Sequence, residues 1–182
     1  AGKTTVLRIL ASALKPSAGD ILISGQSIVA NPSLSKQKIG FLSGKTGLYS
    51  RLTARENIEY FARLHGLSKQ RIEEIGETLY AQLGIEQYLE RRVETLSTGM
   101  TQKVSIARSV IHCPEVIVFD EPTTGLDIMA TEVILEFIEA QKASGVSVIF
   151  STHHLDEVAL LADRIAVIDK GVTCFDGDIN EF

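Results

Sequence analysis

Apolar residues recur along this chain with two periods, and the change between them divides it. Val6, Leu7, Leu10, Ala13 and Leu14 fall at helical spacing. The run should stop before Pro16, whose ring disfavours helical backbone in the residue ahead of it. Residues 20–25 and 38–42 read as short strands, the first ending in a turn. From Thr53 to about Arg92 the pattern is helical and charge-rich, with Gly66 and Gly84 dividing it into short helices. We expect 48–95 to form a helical subdomain inserted into a single domain spanning 1–182. Beyond it, Met100, Val104, Ala107 and Ile111 share one helix face. Leu126, Met129, Ala130, Val133, Ile134, Phe137 and Ile138 form a second stripe, with Glu132, Glu136 and Glu139 kept off it. Residues 116–119, 146–150 and 164–168 read as three buried strands. Buried strands separated by helices predict an α/β fold, its mainly parallel sheet covered by helices on both sides. Ligands of such sheets bind beyond the carboxyl ends of the strands.

Composition narrows this only a little. With 182 residues, 45% hydrophobic and 23% charged, the chain can bury a real core without staples. A net charge of −5 argues against a general nucleic-acid binder, which needs a surplus of Lys and Arg to meet phosphates. Cys113 and Cys174 lie far apart with no CxxC pattern, which fits thiols in a reducing cytosol. No apolar stretch approaches the length of a membrane span, so work at a membrane would require docking on another protein.

Four short motifs carry chemistry. Gly2-Lys3-Thr4-Thr5 opens a helix. Gly2 would admit close backbone approach to a phosphate chain, Lys3 would reach its terminal oxygens, and Thr4 would ligate magnesium. Alone, these residues fit an ordinary basic helix start equally well. The chain begins without Met and opens in the middle of this motif, so we expect a fragment, with the preceding glycine and core strand upstream. The second motif, Val116-Ile117-Val118-Phe119-Asp120-Glu121-Pro122, ends a buried strand in adjacent carboxylates. Such a pair is costly unless a cation offsets it. Magnesium at Asp120 would do so, leaving Glu121 to activate a water for attack on a γ-phosphate. Third, Leu96-Ser97-Thr98-Gly99-Met100 opens a helix as an anion site or as a plain N-cap. Fourth, Ser151-Thr152-His153-His154 follows a buried strand, where a histidine can bond a phosphate or water. Two adjacent histidines on a helix would point apart, which disfavours zinc.

In this order the motifs resemble those of the nucleotide-binding domain of ABC transporters. AGKTT at 1–5 is similar to the end of a Walker A motif, LSTGM at 96–100 to the family signature, and VIVFDEP at 116–122 to Walker B. TTGLD at 123–127 resembles the D-loop and STHH at 151–154 the switch-histidine loop. The resemblance covers essentially the whole chain and implies a P-loop NTPase that hydrolyses ATP with Mg2+. It assigns nucleotide binding to Gly2, Lys3, Thr4 and Thr5, the metal to Thr4 and Asp120, and catalysis to Glu121 and His153. It also implies that Ser97, Thr98 and Gly99 grip ATP held by a second nucleotide-binding domain, with Asp127 joining the two sites. ATP would close the dimer and hydrolysis release it. A transmembrane permease would be the other partner, and the chain would work on the cytoplasmic face of the membrane.

Two positions depart from the family pattern. Gly44 stands where a Q-loop glutamine is expected, with Ser43 and Lys45 as candidate substitutes, and Met100 replaces a commoner glutamine in the signature. LSTGM and FLSGKTGLY are similar to bacterial sodium- or drug-export ATPases. Two other readings use the same motifs: a soluble mechanical ATPase of translation or DNA repair, and a degenerate nucleotide-binding partner. The DNA-repair type would carry a long heptad coiled coil, which this chain lacks. Glu121 and His153 argue against degeneracy, and Gly44 keeps it open.

Overall fold

A computed structural model describes residues 2–44 and 47–181. In chain order the elements are α1 (Lys3–Leu10), β1 (Leu22–Ile23), β2 (Gln26–Ser27), α2 (Pro32–Lys38), β3 (Ile39–Leu42), α3 (Ala54–Leu64), α4 (Lys69–Leu83) and α5 (Thr98–Val110). They continue with β4 (Val116–Asp120), α6 (Ile128–Ala143), β5 (Ser147–Ser151), α7 (Leu155–Leu161), β6 (Arg164–Asp169) and β7 (Val172–Asp178). Short 3-10 turns lie at Glu86–Tyr88, Val93–Thr95 and Ile179–Glu181.

The centre is a parallel sheet in the order β3-β4-β5. β4 is covered on both sides, as its unbroken apolar run predicts. Ile117 and Phe119 enter the larger core with Val104, Ala107, Ile134 and Phe137, whereas Val118 packs with Leu7, Ile23 and Ile28 on the other side. β5 is only half-buried, contrary to expectation. Val148 and Phe150 pack on the larger core, but Ser147 and Ile149, paired with Val116 and Val118, are exposed.

A second correction concerns residues 164–168. They do not join the parallel sheet but pair antiparallel with β7, a strand the apolar pattern did not suggest, and no residue of β6 is fully buried. The signal was the two-residue loop Lys170-Gly171, with φ of 46° and 81°. Positive φ at both central positions gives the turn that matches the twist of two antiparallel strands.

The helices also depart from expectation at their ends. α1 stops at Leu10, four residues before Leu14, because Ser12 turns left-handed at φ 54° and the amides of Ser12 and Leu14 bond back to Ile9 and Arg8. α2 was not read from hydrophobicity, although Pro32 at its first turn is a start signal. On α6, Ala130, Ile134, Phe137 and Ile138 are buried as the stripe predicts, but Met129 is 76% exposed.

Within residues 48–95, α3 and α4 and two 3-10 turns form the helical part, residues 48–52 are non-helical, and Thr53 bridges to Arg92. α3 starts with a capping box. Thr53 Oγ1 accepts from the Glu56 amide at 3.1 Å and the Glu56 carboxylate accepts from the Thr53 amide at 2.7 Å. Ile58, Ala62, Leu79 and Leu83 of this stretch lie in the same core as α5 and β4.

Candidate nucleotide site at the carboxyl edge of the sheet

β4 and β5 end side by side, with Asp120 paired to Ser151. The chain after each strand carries the expected carboxylate and histidine, and α1 brings its N-terminus to the same edge. Asp120 is 8% exposed, and its Oδ1 accepts from Ser151 Oγ at 2.7 Å and from Thr4 Oγ1 at 3.2 Å. Two hydroxyls thus hold a buried carboxylate that would otherwise be unsatisfied. Lys3 Nζ donates to the Thr152 carbonyl at 3.2 Å, which sets its charge over the end of β5.

Glu121 sits at φ 51°, a left-handed conformation that costs a residue with a Cβ on the order of 1 kcal/mol. The conformation is held by its own amide, which donates to Ser151 Oγ at 3.0 Å and to the Ser151 carbonyl at 3.1 Å. Glu121 Oε2 accepts from Thr124 Oγ1 at 3.1 Å and lies 3.6 Å from His153 Nδ1. Strain of this kind, over-determined by neighbours, accumulates where a side chain must be aimed.

Gly2 precedes α1 with φ 115°, and an added Cβ there would meet Gly171 and Ile168 at 3.5 Å. Thr5 is exposed. The structure therefore brings Gly2, Lys3, Thr4, Asp120, Glu121 and His153 together. It does not bring in the signature residues, which serve their own helix ends. Ser97 Oγ accepts from the Met100 amide at 3.2 Å, and Asp127 Oδ1 from the Ala130 amide at 2.8 Å. Thr98 is the first residue of α5 and exposed. Gly99 is buried, and a Cβ added there would lie 2.9 Å from Ala130 Cβ, so glycine is what lets α5 meet α6 so closely.

His153 and His154 are not on a helix; they precede α7, and their rings lie 4.1 Å apart at 37°. The expectation that they diverge is corrected, because helical geometry does not apply to that loop. Among the described residues no cluster of three or more His, Cys, Asp or Glu could hold a metal. Magnesium needs no such cluster, since it favours one or two protein oxygens with water and substrate phosphates. Thr4 Oγ1 and Asp120 Oδ1, 3.2 Å apart, are hard oxygen donors of that kind. At Gly44 the turn is exposed and an added side chain would meet open space, and Lys45 lies outside the described residues. Both cysteines are exposed free thiols. No helix among the described residues is long and apolar enough to cross a membrane.

Sequence reasoning assigned no role to four contributors: Ser151, Thr123, Glu157 and Gln102. Gln102 Nε2 donates to the Pro122 carbonyl at 2.7 Å and ties α5 to the turn after Glu121. The available signal was the density of hydroxyl residues at both strand ends, Thr123-Thr124 and Ser151-Thr152.

Comparison with known proteins gives a consistent family. A family model described as "ABC transporter" matches residues 1–124. The chain is 47% identical over 97% of its length to the ABC transporter ATP-binding protein NatA of Bacillus subtilis, covering 72% of that protein. It is 32% identical over 94% of its length to the linearmycin resistance ATP-binding protein LnrL of the same organism, covering 55% of it. Thus the chain spans only about half of some relatives it matches. Among solved structures, the ATP-binding subunit of an ABC transporter aligns with a TM-score of 0.88 at 28% identity, over 99% of this chain and 75% of that one. A dimeric ATP-binding cassette in a post-hydrolysis state, bound to ADP and Pi, shares the fold with a TM-score of 0.86 at 24% identity, over 98% and 81%.

Proposed function

The chain belongs to the ABC transporter family, and from that premise we propose that it binds Mg·ATP at the carboxyl edge of β4 and β5 and hydrolyses it to power a membrane transporter. The observation that carries this reading is the meeting of Thr4 and Asp120, 116 residues apart, at 3.2 Å. It places the start of α1, a natural phosphate site, against the buried carboxylate that ends β4.

Each residue then has a task. Gly2 and the first amides of α1, Thr5 among them, receive phosphate oxygens, and Lys3 adds a cation. Thr4 and Asp120 hold magnesium, whose chemistry is to neutralise charge on the phosphates. Glu121, with Oε2 already held by Thr124, offers its other oxygen to a water and takes a proton as the water attacks the γ-phosphorus. The bond between that phosphorus and the β,γ-bridging oxygen breaks, giving ADP and inorganic phosphate. His153 contacts the γ-phosphate and reports its loss through the Glu121 side chain 3.6 Å away.

Ser97, Thr98 and Gly99 belong to a partner's ATP in this reading, and Asp127 lies beside them. Ser97 and Asp127 cap the starts of α5 and α6, and a helix start is a natural site for a phosphate supplied by a second chain. The remaining partner is a permease, with this chain on the cytoplasmic face of the membrane. Residues 48–95 act as a helical subdomain, and the LSTGM and FLSGKTGLY stretches, similar to those of bacterial export ATPases, favour export of sodium or drugs.

The test is the Glu121→Gln variant of the full-length protein, sized by light scattering with and without Mg·ATP. Without its base, bound ATP should persist and an ATP-dependent dimer should appear. A variant that binds ATP and stays monomeric sinks self-pairing, and one that binds no ATP sinks the enzymatic reading.

A further inference from the structure

Glu157 stands where the fold turns a side chain inward. On α7 the leucines at 155 and 160 are 73% and 62% exposed, while Glu157 and Leu161 are 6% and 2% exposed. A carboxylate is a costly group to bury unless its oxygens are bonded. Both are. Thr123 Oγ1 donates to Oε1 at 2.6 Å and Thr152 Oγ1 to Oε2 at 2.6 Å.

The two hydroxyls come from the two loops that matter. Thr123 is two residues after Glu121, in the turn leaving β4, and is itself 5% exposed. Thr152 immediately precedes His153 in the loop leaving β5. Thr152 is also a junction, since its carbonyl accepts from Lys3 Nζ and its Oγ1 accepts from the His154 amide at 3.0 Å. One carboxylate therefore spans the gap between the base loop and the histidine loop. Hydrogen bonds to an ionised acceptor are short and strong, and within a packed edge they fix geometry.

We propose that Glu157 is a positioning residue that holds Glu121 and His153 at their working separation, clamping Thr123 with one carboxylate oxygen and Thr152 with the other. The inference rests on the ATPase reading above for its catalytic consequence, though not for the clamp itself. Glu157 touches none of the reacting atoms and acts through the loops of Glu121 and His153. Lys3 is held by the Thr152 backbone carbonyl and not by the clamped hydroxyl, so loss of Glu157 should slow turnover far more than it weakens capture of the nucleotide.

The experiment compares full-length wild type, Glu157→Ala, Glu157→Gln and Thr152→Val in Mg·ATP turnover, with the imidazole resonance of His153 followed in carbon-labelled histidine spectra. Glu157→Ala should lower kcat about ten- to a hundredfold, the scale of a small misplacement of catalytic groups, with KM little changed. Glutamine can accept from one threonine hydroxyl and donate to the other, so Glu157→Gln should recover most of kcat. Thr152→Val, which keeps the backbone carbonyl for Lys3, should reproduce part of the kcat loss and stands in if Glu157→Ala fails to fold. The His153 resonance should move in the alanine and valine variants and return in the glutamine variant. Wild-type turnover per folded molecule in both damaging variants overturns the proposal, as does a loss confined to KM or a glutamine variant as slow as alanine. If the wild type itself hydrolyses no ATP, the proposed function fails. The His153 resonance then judges the clamp by itself, and an unmoved signal overturns it.

Discussion

Two regions of this molecule satisfy their polar side chains on opposite terms. At the carboxyl edge of β4 and β5, the buried Asp120, Ser151, Thr123 and Glu157 bond to one another or to α1. At the seam where α3 ends against α5, His112 puts its Nε2 3.2 Å from the Ile39 carbonyl and leaves Nδ1 buried without a partner. Because a carbonyl can only accept, Nε2 carries a proton. The His65 ring stacks on it at 3.8 Å. Burial, and then the neighbouring imidazole, push His112 down to about 4, and loss of water lowers His65 as well. Partnered burial fixes the aim of reactive groups. Unpartnered burial adds packing and makes it conditional on pH.

The contrast can be broken at either end. The largest effect is expected at the edge, where Glu121→Gln should lower ATP turnover by about 10²–10⁴-fold with stability nearly unchanged. A variant that loses stability in proportion would erase the difference between the regions. On the helical side, Ile58→Ala removes a fully buried side chain and should cost about 2–5 kcal/mol in denaturant unfolding, with turnover per folded molecule preserved. Gly99→Ala tests the junction between them, since the new methyl would lie 2.9 Å from Ala130 Cβ. We expect a loss of about 1–3 kcal/mol, recovered in part by adding Ala130→Gly.

A smaller effect sharpens the comparison through pH. Between about 6.5 and about 4 the unfolded chain binds a proton at His112 that the folded chain refuses. Stability therefore rises with pH and is lost as pH falls through that window. Allowing for the partial exposure of the pair, the His112 contribution is about 1–2 kcal/mol. His112→Leu should flatten the unfolding free energy across this range, and an unchanged slope would remove the seam's distinction. Smallest of all, Thr53→Ala should cost about 1 kcal/mol by losing the cap of α3, read as a drop in melting temperature with ATP turnover per folded molecule unchanged.

Much of this protein was legible in the residue order. The strand 116–119 with its Asp-Glu-Pro end, the stripe on α6 and the helical run after Thr53 follow from apolar spacing within one element, which fixes local structure whatever lies around it. The candidate motifs stand out for the same reason, because a Gly-Lys-Thr helix start and paired carboxylates at a strand end are local features of the residue order. Tertiary structure decided the rest. It moved residues 164–168 out of the parallel sheet and into a hairpin, since strand pairing depends on which neighbour reaches an edge. It left Ile149 and Met129 exposed and turned Glu157 inward beside Leu161, against the apolar pattern of α7. It joined Lys3 to Thr152 across 149 residues and Thr4 to Asp120 across 116. Periodicity shows which face of an element is apolar, but the partner of a buried polar group is set by the elements packed against it.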